Sequence, residues 1–151
     1  MKRLLLIAAI ATALYVGYGK TNGFRQLTGS QTTYTSREQA SFSNEIQSAF
    51  NEHRSGFQVQ GEGVVSKLLS DDTDGSRHQR FILTLPSGQT LLVAHNIDLA
   101  RRIASLKSGD RVAFNGVYEW NAKGGVIHWT HHDPAGRHEA GWLRHAGQTY
   151  Q

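Results

Sequence analysis

TLLVAHNIDLARRIASLKSGDRVAFNGVYEW, residues 90–120, decides the fold. The stretch opens and closes on runs of strand length, TLLVAH and RVAFNGVYEW. Between them NIDLARRIASLKSGD carries Ile97, Leu99, Ile103 and Leu106 as the apolar residues of a short helix, ended around Ser108 and Gly109. Upstream, RHQRFILTLP sets Phe81, Leu83 and Leu85 on one face, and the turn SGQ links this strand to TLLVAH. Before the turn SDDTDGS, FQVQGEGVVSKLL aligns Phe57, Val59, Gly61, Gly63 and Val65, with glycines mid-strand where a strongly coiled strand needs them. Downstream, GVIHWTH forms a hairpin with RVAFNGVYEW across NAKG. Three strands, a helix, then two strands is the order of a mainly β, five-stranded OB-type barrel with its helix between strands three and four. An SH3-like barrel is the rival architecture, and it gives no reason for a helix there. The tail from residue 134 ends in WLRHAGQTY, a small hairpin turning at Ala146 and Gly147, with Trp142 and Tyr150 available to pack on the barrel.

The chain before residue 57 has a different character. Lys2 and Arg3 precede an uncharged run from Leu4 to Gly19, so residues 1–19 read as a signal peptide or an N-terminal membrane anchor. The run is long for a signal-peptide core and short of the about 20 residues of a membrane span. Both fates therefore stay open. With the basic pair held inside, the remainder goes outward, to the periplasm or to the periplasmic face of the inner membrane, tethered there if residues 4–19 are retained. Residues 20–35 have the Thr, Gly, Ser and Gln content of a linker. In residues 36–56, Phe42, Ile46, Ala49 and Phe50 share one helical face, Ser36 and Gln39 suggest a capping box, and His53, Arg54 and Gly56 suit the end of an amphipathic helix.

Cysteine is absent, which excludes thiol chemistry and leaves an exported domain to rely on its core. Residues 57–151 hold ten Lys and Arg against nine Asp and Glu, too balanced for a strongly basic nucleic-acid clamp. The same segment carries seven of the eight histidines, so it becomes cationic as pH falls through about 6.5.

Barrel topology collects those histidines. The start of strand two, the end of strand three and the end of strand five share one pole, because strand three is antiparallel to strand two and parallel to strand five. His78 and Arg80 then meet His95, Asn96 and Asp98, and also His128, His131, His132 and Asp133, with His138 able to fold back. The acidic turn Asp71, Asp72, Asp74 sits at the same pole.

Three chemistries fit. His78, His95, His131, His132 and Asp133 are candidate ligands for a divalent metal such as zinc, which would activate water. His95 and His132 are candidate catalytic bases, oriented by Asp98 and Asp133, with Arg80 and Asn96 facing a phosphate. Trp129 and Trp142, with His128 and His138 around them, are candidate ligand-binding residues for a base or sugar ring. Against these stand plainer readings: a polar barrel end needs no function, His128 suits a hydrogen-bonded structural role equally well, and His53 and His145 read as surface residues. No HExxH, strand HxH pair or Cys supports the metal set, and DDTDG lacks the later glutamate of a calcium loop.

The strings SRHQRFIL, SGQTLLVAHNIDLA, GDRVAFNGVYEWN and GGVIHWTHHDPAGRHEAGW are together similar to a bacterial family, domain of unknown function 3465, over about residues 57–151. The resemblance implies a small exported bacterial protein and assigns no catalytic residue. The carboxylate and arginine pattern of staphylococcal-type nucleases does not align onto the chain. Function therefore rests on the pole. A metal-dependent phosphodiesterase or nuclease is the first expectation, and a non-catalytic cell-envelope module binding an oligonucleotide, a glycan or a protein is the alternative.

Overall fold

The computed structural model describes residues 35–151; the expected leader and nearly all of the linker lie outside the described residues. Among the described residues no helix is long and apolar enough to cross a membrane. The first element is α1, Ser36–Asn51. Its N-cap is Thr35, one residue before the expected Ser36: Thr35 Oγ1 accepts from the Glu38 N–H at 3.3 Å, and Glu38 Oε2 accepts from the Thr35 N–H at 2.8 Å. A carboxylate is the better partner for a helix N-terminus than an amide. Gln39 instead donates to Glu62 on the barrel at 3.2 Å.

The helix stops at Asn51, with His53 in the left-handed region at φ 56°. The Arg54 N–H bonds Ala49 O and the His53 N–H bonds Phe50 O, which is the Schellman pattern. Ile46 and Ala49 are fully buried in the barrel core, with Phe42 and Phe50 half-buried beside them.

Seven strands follow: β1 Phe57–Leu68, β2 His78–Thr84, β3 Thr90–Asn96, β4 Arg111–Glu119, β5 Val126–His128, β6 Trp142–His145 and β7 Gln148–Tyr150. The first five close into a barrel in the order β1-β2-β3-β5-β4, with β4 returning to β1. As expected, β3 and β5 are parallel and the other neighbours antiparallel. Strand alternation fills the interior with Val59, Val65, Phe81, Leu83, Leu91, Val93, Phe114, Tyr118 and Ile127. Gly61 lies beneath Phe114, whose nearest ring atom would be 2.6 Å from any Cβ there, so the mid-strand glycine makes room for the aromatic ring.

β4 changes partner along one edge. It pairs with β5 at residues 117–119 and with β6 at residues 113–115. The β6–β7 hairpin turns at Ala146 and Gly147, both with positive φ, as the tail pattern suggested; it buries Tyr150 as expected, but with Leu143 in place of Trp142, which stays half-buried.

One expected element is absent. Residues 97–110 form turns, not a helix. Asn96 starts a single turn, its Oδ1 accepting from the Asp98 N–H at 2.9 Å and its carbonyl from the Ala100 N–H at 3.1 Å. A helix would next require the Ile103 N–H to bond the Leu99 carbonyl. That N–H goes instead to Gln79 Oε1 at 2.9 Å, while Gln79 Nε2 donates to the Ile103 carbonyl at 3.0 Å. Gln79 points into the barrel from β2 and is buried. Ile103 and Leu106 are thereby pulled into the core, and Leu99 is left 47% exposed. The two barrel ends are thus closed differently. This connection covers the end where β3 finishes and β4 begins, and α1 covers the end where β4 finishes, fixed there by Trp120 Nε1 donating to Phe50 O at 3.0 Å.

Replacing Gln79 by Leu leaves the Ile103 N–H and carbonyl without partners in a dry setting, and is expected to cost about 2–4 kcal/mol. Urea unfolding of the variant measures the loss, and hydrogen exchange at the Ile103 amide locates it.

Candidate functional site

Strand register sets the geometry of the histidine pole. His78 faces Asn96, Gln79 faces His95 and Arg80 faces Ala94 across β2 and β3. The parallel pair Val93–Ile127 puts Ala94 beside His128 one step further along. The sequence-derived convergence is therefore present: strands two, three and five deliver His78, His95 and His128 to one end. The inward and outward faces then divide these residues into two groups.

The inward group serves the fold. His95 is fully buried; its Nε2 donates to the Arg101 carbonyl at 3.2 Å, and its Nδ1 lies 2.8 Å from the Thr130 hydroxyl. A carbonyl only accepts, so the proton sits on Nε2 and the hydroxyl donates to Nδ1. Burial pushes the His95 pKa down to about 4, with the Arg101 carbonyl pulling the other way and the neighbouring His131 and His78 adding to the depression. His131 is buried and donates through Nδ1 to the His132 carbonyl at 2.7 Å. Asp133 is buried as well, and its carboxylate accepts from the N–H groups of Ala135, Arg137 and His138 at 2.9, 2.7 and 3.1 Å. Those backbone bonds, led by that from Ala135, hold its pKa below the usual carboxylate range.

This division puts His95 and Asp133 among the buried, engaged residues and leaves His132, Arg80 and Asn96 on the outward side. His95 has both ring nitrogens engaged and no access to solvent. Asp133 is occupied by its own loop, and Asp98 pairs with Arg77 at 2.7 Å instead of orienting a histidine. Among the described residues no group of three or more His, Cys, Asp or Glu is arranged to hold a metal ion, so His78, His95, His131, His132 and Asp133 do not form a ligand set. The acidic turn is engaged too: Asp71 pairs with Arg102 at 3.1 Å, and Asp72 lies 3.6 Å from Arg80.

The outward group is different. Arg80, whose Nε donates to Ser70 O at 3.1 Å, is half-buried, as are His78, Asn96, His128 and Trp129, while His132 and His138 are exposed. His128 Nε2 stands 3.7 Å from Glu119 Oε1, outside hydrogen-bond reach, and burial lowers its pKa against the opposing pull of that carboxylate. Trp129 has φ 52°, rare for a bulky residue, and this left-handed turn swings the chain off the edge of β4 where β6 takes over. The His138 ring stacks on Trp129, with centroids 4.0 Å apart. Trp142, on β6 opposite Asn115, has the Arg144 guanidinium 4.0 Å over its ring, so that face of the indole is already covered.

His145 corrects a further expectation. It is buried, and its Nε2 donates to Asp110 Oδ2 at 2.8 Å, tying β6 to the start of β4. The signal was available in the sequence: His145 stands two residues from Leu143, on the same face of a strand.

Residues 30–151 match the model of a family described as Protein of unknown function (DUF3465). The chain belongs to the DUF3465 family. No curated protein matches it. In this DUF3465 barrel the histidine-rich end is thus two layers, buried fasteners beneath and a half-buried, outward face of Arg80, His78, Asn96, His128 and Trp129 above.

Two outcomes follow from the buried layer. Folding holds His95 neutral, so its contribution is intact above about pH 6.5 and falls away as pH drops toward 4, a loss of roughly 3 kcal/mol. Urea unfolding at pH 7 and pH 4 should show this slope in the wild type and its absence in His95→Gln. Gly141 packs where three backbone segments meet: a Cβ there would sit 1.9 Å from Trp129 O and 2.7 Å from Asn115 O. Gly141→Ala should cost about 3 kcal/mol or more, read as a lowered Tm.

Proposed function

We propose that this chain is an exported, OB-type binding module that holds a single-stranded oligonucleotide, without cleaving it, on the outer face of β2, β3 and β5. The ring order β1-β2-β3-β5-β4 supports the OB assignment. Export rests on Lys2, Arg3 and the uncharged run to Gly19, and it puts the barrel in the periplasm, free or tethered to the inner membrane.

The observation that carries the recognition reading is the composition of two adjacent outward rows. Arg80, Ala94 and His128 form one row, which leads to Trp129 at its end; Ile82, Leu92 and Val126 form the next. Bases can lie on the apolar row and stack on Trp129, while phosphates meet Arg80 and the imidazoles. The His138 ring, stacked at 4.0 Å, already uses Trp129 in the way a base would. Catalysis is disfavoured because His95 and Asp133, the residues best placed to drive it, are engaged in holding the loops. Near-neutral charge in residues 57–151 suits modest affinity and a shallow salt dependence.

Labelled oligothymidylate should bind saturably at low salt, measured by fluorescence anisotropy. Removing one stacking platform is worth about 1–3 kcal/mol, so Trp129→Ala should weaken binding about tenfold or more with the fold unchanged. Absence of saturable binding would sink the proposal. Cleavage that a chelator abolishes and that His132→Ala removes would replace it with the metal-dependent phosphodiesterase reading.

A further inference from the structure

A second surface, on the outer side of the barrel, has a different chemistry. On the outer side of β1 and β4 lies a cleft of about 320 Å³ between α1 and the segment before β6. Its floor is made of amides: Gln58 and Gln60 on β1 and Asn115 on β4, with Gln60 directly opposite Asn115 in the register. Phe42 and Glu45 form one wall, three residues apart on the same face of α1. Glu139, from the segment leading into β6, forms the other.

The polar groups are held in place. Gln58 Nε2 donates to Asn115 Oδ1 at 2.8 Å, and Asn115 Nδ2 donates to the Ala140 carbonyl at 3.3 Å. These bonds fix the amide orientation of a side chain that is 4% exposed. Gln58 and Gln60 are alternate strand residues, so they stand about 6.8 Å apart along the floor, a span that reaches hydroxyls on opposite sides of one six-membered ring. Amides both donate to and accept from hydroxyl groups, and carboxylates accept from them. Phe42 supplies an apolar wall for the C–H face of such a ring.

Charge narrows the ligand further. Among the cleft's lining residues there is no Lys, Arg or His, and Glu45 and Glu139 oppose an anionic group by like-charge repulsion. We propose that this cleft binds one unit of an amino-sugar chain, its hydroxyls on the Gln58 and Gln60 amides, with Asn115 holding Gln58 in place, and its ammonium attracted by Glu45 and Glu139. The inference does not rest on the oligonucleotide reading.

The test uses the full-length chain and three probes: a glucosamine tetramer, its N-acetylated counterpart and an oligogalacturonate. The glucosamine tetramer should bind saturably and perturb the amide resonances of residues 42, 45, 58, 60, 115 and 139. The N-acetylated tetramer should bind more weakly and the acidic oligomer not at all. Glu45→Lys and Glu139→Lys, both at exposed positions, should each weaken glucosamine-tetramer binding at least tenfold and leave oligothymidylate binding at its wild-type level. Absence of saturable binding by the glucosamine tetramer would overturn the inference. So would binding that survives both charge reversals, resonance changes confined to the Trp129 side, or equal affinity for tetralysine, which would reduce the effect to charge attraction alone. None of these results depends on whether oligothymidylate binds.

Discussion

Two bonds from a single buried amide hold the open end of this barrel shut. Gln79 reaches up from β2 to both the N–H and the carbonyl of Ile103, and around that clamp the connection from β3 to β4 takes its path. His95, its neighbour across the strand pair, repeats the device one step away, joining the Arg101 carbonyl to the Thr130 hydroxyl. With the connection pinned, Ile103 and Leu106 complete the core, and the turn after β5 is locked to the same framework. Loosening the clamp would therefore disturb the core and the outer histidine face together.

Imidazole suits this task because its neutral form carries one donor and one acceptor on a rigid ring. It can bridge a carbonyl and a hydroxyl belonging to segments twenty-nine residues apart, where a carboxylate would offer only acceptors and an ammonium only donors. The accompanying liability is acid. Asp133 is a carboxylate solution to a similar problem, accepting three backbone N–H groups and so organising its loop without help from any distant strand.

Much of the fold was legible because alternation is a strong signal. Phe81, Leu83 and Leu85, or Val59 and Val65, could face only one way, and the parallel placement of β3 beside β5 followed from strand order. The missing helix was not legible. Ile97, Leu99, Ile103 and Leu106 match a helical pattern, but a buried glutamine twenty-four residues earlier claims the backbone of Ile103, and local periodicity carries no trace of so distant a competitor. The candidate site was legible as a meeting of strands but not as a meeting of functional groups. Topology brought His78, His95 and His128 together correctly; which face each occupied decided whether it was a fastener or a surface. His95 shares its parity with Val93 and Leu91, and that alone put it inside.

The bond ladder between β1 and β4 also governs how the chain reaches its native form. Its partners, such as Phe57 and Tyr118, lie about sixty residues apart, whereas the β1–β2, β2–β3, β4–β5 and β6–β7 pairs join across short connections. Hairpins can assemble as the polypeptide emerges, but the ring cannot close until β4 is available. This pairing carries the largest loop-closure cost of any in the barrel. Until it happens the free margins of β1 and β4 expose unpaired peptide groups, and two nascent copies at high concentration would find each other's margins as readily as their own.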